Sequence, residues 1–376
     1  MINSKLIDAL RPLSTRERTK FRELVYSPFF NKNHKVRRLT DYILRYAPHF
    51  EDPELEKAHI FPVVFGTAAP YQELRLNNVI SDTLQLLYEY FTQQALEQEE
   101  PIKRSYLMKA FLHRRMERHI HQNARRYQQL LKQKEGRSYY YYYHRQLLAS
   151  QMDRHALLHE ERAYNEYLQE RNDALDLYYF CNKLRTACDM ANRNKAIKAS
   201  YQCHFIDTLL LAYEDAPGWL RQEPAIQAYY QTLLMLQSEE EHHYLEVRRL
   251  LYDNPHVFPR EELNDLYDYV QNFSVKKVNS GQTQYYEQIL DLYKEMLGRE
   301  LLLRNGYLTQ WTYINIVTAG IRLQDFEWTE QFIHTYKANL APEVRDNVYT
   351  YNLAALEFER KKLPPGPAIA SGRRIF

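Results

Sequence analysis

The chain has 376 residues, with nine glycines, 33 tyrosines, 45% apolar and 26% charged residues. Glycine this scarce, against a usual share of about 7%, argues against the tight hairpins of a many-stranded β fold. The phosphate-cradling motifs G-x-G-x-x-G and G-x-x-x-x-G-K-[ST] are absent, and a net charge of +2 conceals a strong segregation.

In chain order, Met1–Leu10 lacks the apolar stretch of a signal peptide. Ser14 with Glu17 three residues on predicts a capping box that starts a helix. Residues 1–100 read as an N-terminal region of short helices separated by Pro28, Pro48, Pro53 and Pro70. It closes on a long helix over Tyr71–Gln98, where Leu76, Val79, Ile80, Leu84, Leu87, Phe91 and Ala95 trace one stripe. Residues 101–198 read as longer, charge-dense helices, and the single β-like string, Tyr139–Tyr143, lies between helical sequences. Residues 199–362 settle into helix pairs, with pairs expected over 224–253, 259–303 and 309–362. About fifteen helices and no convincing alternating strand predict an all-α protein. The purest apolar runs are too short to cross a bilayer, so no membrane association is expected. Cys181, Cys188 and Cys203 include no C-x-x-C pair, which suits a reducing, cytoplasmic compartment, with Cys181 and Cys188 expected in the core.

The string Ile316–Leu323 aligns with Tyr351–Phe358 at an offset of 35, placing Ala319 on Ala354 and Gly320 on Ala355. Small residues at that point let two helices approach closely while large neighbours fill the gap. Trp311, the Ala319-Gly320 pair and Phe332 resemble the packing positions of tetratricopeptide-type repeats, whose period is about 34 residues. The closing proline of that motif is displaced, and the small residue early in its second helix is missing. The resemblance implies an α-solenoid of antiparallel helical hairpins acting as a non-catalytic protein-interaction scaffold. Contacts with an unidentified protein partner are then expected along a concave face, at Tyr313, Asn315, Tyr349 and Asn352. The chain as a whole is also similar to tyrosine-rich helical proteins of Bacteroidetes-type bacteria, a resemblance that implies no activity. The final helix pair is half complete. Asn347–Lys362 supplies one helix, and residues 363–376, rich in proline and glycine, read either as a disordered tail or as an end displaced by truncation or frame shift.

Between Pro101 and Arg145 twelve Lys or Arg face only Glu117 and Glu135, a local charge of +10 against −8 for the remainder. Arg114, Arg115, Arg118, Arg125, Arg126, Lys132 and Lys134 are expected to project from two consecutive helices, beside the Tyr139–Tyr143 run. Guanidinium groups neutralise phosphates and tyrosine rings stack on bases, so this segment suits nucleic acid. An acidic protein is the other external partner it suits. The internal alternative is a solvated face that neutralises Glu97–Glu100, Glu160 and Glu161 within the fold. His155 and His159 stand four apart, and Glu239-Glu-Glu-His-His243 holds E-x-x-H twice, but neither completes a known metal motif. Glu239–Glu241 therefore read as a solvated helix start. No nucleophile motif stands out, and neither catalysis nor a cofactor is expected.

Overall fold

The computed structural model describes residues 1–133, 136–158 and 164–362. The protein is all-α: eighteen α-helices and four short 3-10 turns, with two isolated bridges, Arg304–Tyr307 and Leu308–Leu340, and no strand among the described residues. The chain divides into two compact units, Met1–Asn123 and Ala124–Phe376. The division falls inside a helix of the charge-dense stretch, whereas composition shifts at about residues 100 and 198.

The first unit contains α1 (Lys5–Leu10), α2 (Thr15–Tyr26), α3 (His34–Ile43), α4 (Lys57–Phe65), α5 (Glu73–Gln98), α6 (Glu100–His113) and the opening turns of α7 (Glu117–Gln133). The capping box at α2 is formed: Ser14 Oγ accepts from the Glu17 amide at 3.3 Å, and Glu17 Oε2 accepts from the Ser14 amide at 2.8 Å. α5 begins two residues later than its periodicity suggests and buries Leu76, Val79, Thr83, Leu87 and Tyr90. That spacing of three and four keeps one face against α1, α2 and α3. Leu6, Phe21, Val36 and Leu39 complete the core, with the Phe21 and Tyr90 rings 5.9 Å apart.

The second unit takes up α7 and adds α8 (Tyr139–Leu158), α9 (Glu166–Ala196), α10 (Ile206–Glu214), α11 (Gly218–Arg221) and α12 (Pro224–Ser238). Then follow α13 (Glu241–Asp253), α14 (Arg260–Asn279), α15 (Tyr285–Gly298), α16 (Gln310–Arg322), α17 (Phe326–Thr335) and α18 (Arg345–Lys362). α9 packs along α8 and against α12, and from α12 to α18 each helix packs on the next. The stretches 224–253 and 259–303 hold α12 with α13 and α14 with α15, and 309–362 holds α16, α17 and α18. α15, the second helix of the 259–303 stretch, ends at Gly298, short of residue 303.

Gly320 shows why a small residue is needed in α16. A Cβ there would sit 2.0 Å from Thr329 Oγ1 of α17, so only glycine permits this approach. The expected role of the Ala319-Gly320 pair in close helix packing is thus observed. Phe332 is buried with its ring 5.0 Å from that of Tyr313, whereas Trp311 is exposed.

Tyrosine dominates the core of the second unit. Tyr127, Tyr142, Tyr229, Tyr244, Tyr267, Tyr285, Tyr293 and Tyr313 are among its largest fully buried side chains. Burying a phenol costs free energy unless its hydroxyl finds a partner, and here carboxylates recur as that partner. Tyr142 donates to Glu223 at 2.7 Å, Tyr229 to Glu262 at 2.7 Å and Tyr269 to Asp189 at 2.6 Å, and Tyr267 donates to Glu295. Glu262 is 4% exposed and also accepts from Ser138 Oγ at 2.6 Å. Burial raises the Glu262 carboxyl above its ordinary value, against the lowering effect of these two donors. Burial, aided by the facing carboxylates, likewise pushes the Tyr142 and Tyr269 phenols up. Cys181 and Cys188 are buried thiols raised by desolvation, as expected of core residues.

Candidate anion-binding face

The basic segment separates into cations used within the fold and cations left outside it. In the first unit Glu100 receives Arg104 at 2.7 Å and Lys103 at 3.4 Å, and Arg104 also donates to Asn123 Oδ1 at 3.3 Å. Internal neutralisation therefore holds for Lys103 and Arg104, whereas Lys109 Nζ lies 4.9 Å over the Tyr106 ring. Arg114 caps the end of α6 and donates to the Ala110 carbonyl at 3.1 Å. Arg115 adopts φ 54°, and both residues are exposed, as is Arg118 in the first turn of α7.

In the second unit the rest of α7 has two distinct faces. Ala124, Tyr127 and Leu131 are buried, and the Tyr127 hydroxyl meets His144 Nδ1 at 2.5 Å. Arg125, Arg126, Gln128, Gln129, Lys132 and Gln133 are exposed. The spacing explains this: 124, 127 and 131 share one side of a 3.6-residue helix, which directs the intervening residues to solvent. Among the described residues, no carboxylate pairs with Arg118, Arg125, Arg126 or Lys132. Glu160 and Glu161, expected as internal partners, lie outside the described residues, as does Lys134.

The tyrosine run opens α8 and is mostly committed to the interior. Tyr142 is fully buried, the Arg185 guanidinium lies 4.8 Å over the Tyr139 ring, and that of Arg145 lies 5.9 Å over Tyr141. Tyr143, 41% exposed, presents the most ring surface of the run, with its centroid 5.6 Å from that of Tyr178. Five consecutive helical positions point in every direction, so one ring of the run, that of Tyr143, is left exposed.

The residues expected on a concave partner-facing surface need a larger correction. Tyr313 is buried and donates to the Ile333 carbonyl at 2.8 Å. Asn352 is buried and donates to the Val348 carbonyl at 2.7 Å, and Asn315 is buried too. These three offer no surface to a partner. Tyr349 is half-buried, its hydroxyl 3.1 Å from His334 Nδ1 and its ring beneath Lys337 Nζ at 4.1 Å. The pattern carried the signal: Tyr313 shares a stripe with Ile316, Val317 and Gly320, and Asn352 sits four residues from both Val348 and Leu356.

A groove of about 330 Å³ lies between α15 and α17, lined by Lys294, Leu297, Trp328, Phe332 and Tyr336 among others. The Trp328 and Phe332 rings stack at 5.6 Å, and Lys294 Nζ covers Trp328 at 4.6 Å while pairing with Asp325 at 3.1 Å. Sequence reading missed this feature, since its two walls are distant in sequence and are brought together by the fold, where Lys294 meets Asp325 and Trp328.

The turn between α12 and α13 is also more than a solvated helix start. Glu239 ends α12 with φ 60° and receives Lys195 Nζ at 2.5 Å and Lys276 Nζ at 2.6 Å. Lys277 donates to its carbonyl at 3.0 Å. The two lysines, Lys195 first, hold the Glu239 carboxyl down to about 2. Beyond it, Glu240, His242 and His243 bring one ligand atom each within 4.8 Å of one another. His243 is lowered by burial and by His242. His155 is buried in α8, and His159 lies outside the described residues. Among the described residues no helix is long and apolar enough to cross a membrane. No family model, curated protein or solved structure matches this chain.

Proposed function

We propose that the chain is a non-catalytic binding protein, an α-solenoid of helical hairpins of tetratricopeptide-like plan, whose exposed α7 face holds nucleic acid. One observation carries the reading: Arg125, Arg126 and Lys132 stand exposed and unpaired among the described residues. Several cations elsewhere meet acids, as Arg22 meets Asp41 and Arg249 meets Glu246, each at 2.6 Å. Guanidinium groups without a carboxylate partner need break no ion pair to meet phosphates, and on doing so they release condensed counterions from the nucleic acid. Gln128, Gln129 and Gln133 add amide donors on the same side, and Tyr143 offers one ring to a base. Sequence order in the packing of α12 to α18 supports the solenoid plan, and free thiols suit a cytoplasmic setting.

Fluorescence anisotropy with a labelled mixed-sequence single-stranded oligonucleotide tests the reading. Three phosphate contacts give a log–log salt slope of about −2, so binding weakens about 18-fold for a fourfold rise in salt. Arg125→Ala/Arg126→Ala leaves one contact and a slope near −0.7. Absence of binding at low salt, or a slope the double variant does not change, rejects the proposal.

A second reading, a scaffold for a protein partner, is favoured by the open aromatic groove between α15 and α17. Trp328→Ala abolishing capture of a partner that ignores Arg125→Ala/Arg126→Ala is the result that selects it.

A further inference from the structure

We propose that Glu240, His242 and His243 form a binding site for a borderline divalent transition metal, Zn²⁺ or Cu²⁺, at the turn between α12 and α13. The sequence reading gave this segment no metal role, because E-x-x-H requires a second copy on another helix to build a bridged centre. The fold supplies a different set: the N-cap carboxylate and two successive imidazoles, one ligand atom from each within 4.8 Å of the others.

Three features make these groups a site. First, His242 Nδ1 and Glu240 Oε2 are 3.2 Å apart. Ligands bound at about 2.0–2.1 Å in a tetrahedron are about 3.3 Å from each other, so this pair already spans one edge. Second, His243 Nδ1 lies 2.7 Å from Gln231 Oε1 on α12. An amide oxygen only accepts, so Nδ1 carries the proton and Nε2 keeps the lone pair that a metal needs. Such an outer hydrogen bond fixes tautomer and ring orientation in metal-binding histidines. Third, the turn is held before any ion arrives. Glu239 is clamped by Lys195 and Lys276, and Ser238 Oγ accepts from the Glu240 amide at 3.3 Å. The clamp also engages the neighbouring Glu239 carboxylate, leaving Glu240 as the oxygen ligand.

Two imidazoles and one carboxylate suit zinc, nickel and copper over magnesium or calcium, with copper the tightest. The side chains of Glu240 and His242 are 60% and 66% exposed, so an ion enters freely and keeps water in its remaining position. The positive end of α13 opposes a cation, weakening binding by about fivefold at most.

Zinc alone is the probe. Calorimetric titration of the full chain at neutral pH should show one equivalent that is absent from His242→Ala/His243→Ala. Glu240→Gln should weaken that equivalent, and Gln231→Ala, which touches no metal, should weaken it by about tenfold. Cobalt substitution should give visible absorption of a low-coordinate mixed nitrogen and oxygen site, lost in the double-histidine variant. Circular dichroism of each variant confirms that its helices are intact, and His243→Gln replaces the double variant if that one misfolds. Equal stoichiometry and affinity in the wild type and the histidine variants, or no zinc bound by either, overturns the proposal.

Discussion

Glu239 ties together elements distant in sequence, and the effect of its loss is calculable. The residue joins the end of α12 to Lys195 of α9 and Lys276 of α14. A carboxylate held near 2 against an ordinary 4.5 corresponds to an upper bound of about 3.4 kcal/mol of stability. Its side chain is 34% exposed and those of the lysines 43% and 60%. Solvent screening therefore reduces the figure to about 1–2 kcal/mol. At about 2–4 °C per kcal/mol for a unit of this size, Glu239→Gln should lower Tm by roughly 2–8 °C at neutral pH. The pH dependence has a definite sign. A depressed carboxyl contributes fully above its unfolded value of about 4.5 and loses that contribution as pH falls towards 2. The gap between wild type and Glu239→Gln should thus close on acidification. Because Glu239 sits at φ 60°, Glu239→Gly loses the same ion pairs but recovers about 1 kcal/mol of backbone strain. It should melt above Glu239→Gln. Melting curves across pH 7 to 3 test both statements, and a gap that is absent or constant with pH refutes the clamp.

Two further substitutions probe the core of the second unit. Tyr229→Phe removes one donor from Glu262 and should cost about 1–3 kcal/mol. A carboxyl raised by burial contributes stability below its unfolded value and loses it as pH rises. Tyr229→Phe should therefore be more damaging at pH 7 than at pH 4, which paired thermal melts would show. Gly320→Ala places a methyl against Thr329, and the overpacking, about 1–3 kcal/mol, exceeds the helix-propensity gain of about 1 kcal/mol. Gly320→Ala/Thr329→Ala should recover much of that loss in a denaturant double-mutant cycle.

Helix existence was legible in the sequence because each helix buries a stripe and the spacing records it. α5, α12 to α15 and α18 stand close to where periodicity put them. Short helices were not legible: α1 and α11, of six and four residues, hold too few turns to show a period. The basic face of α7 was legible as charge, but its separation from the paired cations of α6 was not. That separation depends on Glu100 lying one turn from Arg104 and on Ala124, Tyr127 and Leu131 facing inward. Asn315 and Asn352 were misread because asparagine is usually exposed, and here the stripe overrides residue type. The clamp at Glu239 was invisible, since its lysines lie 44 and 37 residues away. The tyrosine–carboxylate pairs were hidden for the same reason, with Tyr142 and Glu223 81 residues apart.

Arginine footprinting tests the α7 reading most directly. The folded chain is treated with phenylglyoxal, with and without saturating oligonucleotide, and modification at each arginine is read by mass spectrometry. Modification of Arg125 and Arg126 should fall several-fold on binding, while Arg304, whose side chain is 79% exposed, should react unchanged. Equal reactivity of Arg125 and Arg126 in the two states, with oligonucleotide bound, contradicts the assignment of α7 as the anion-binding face.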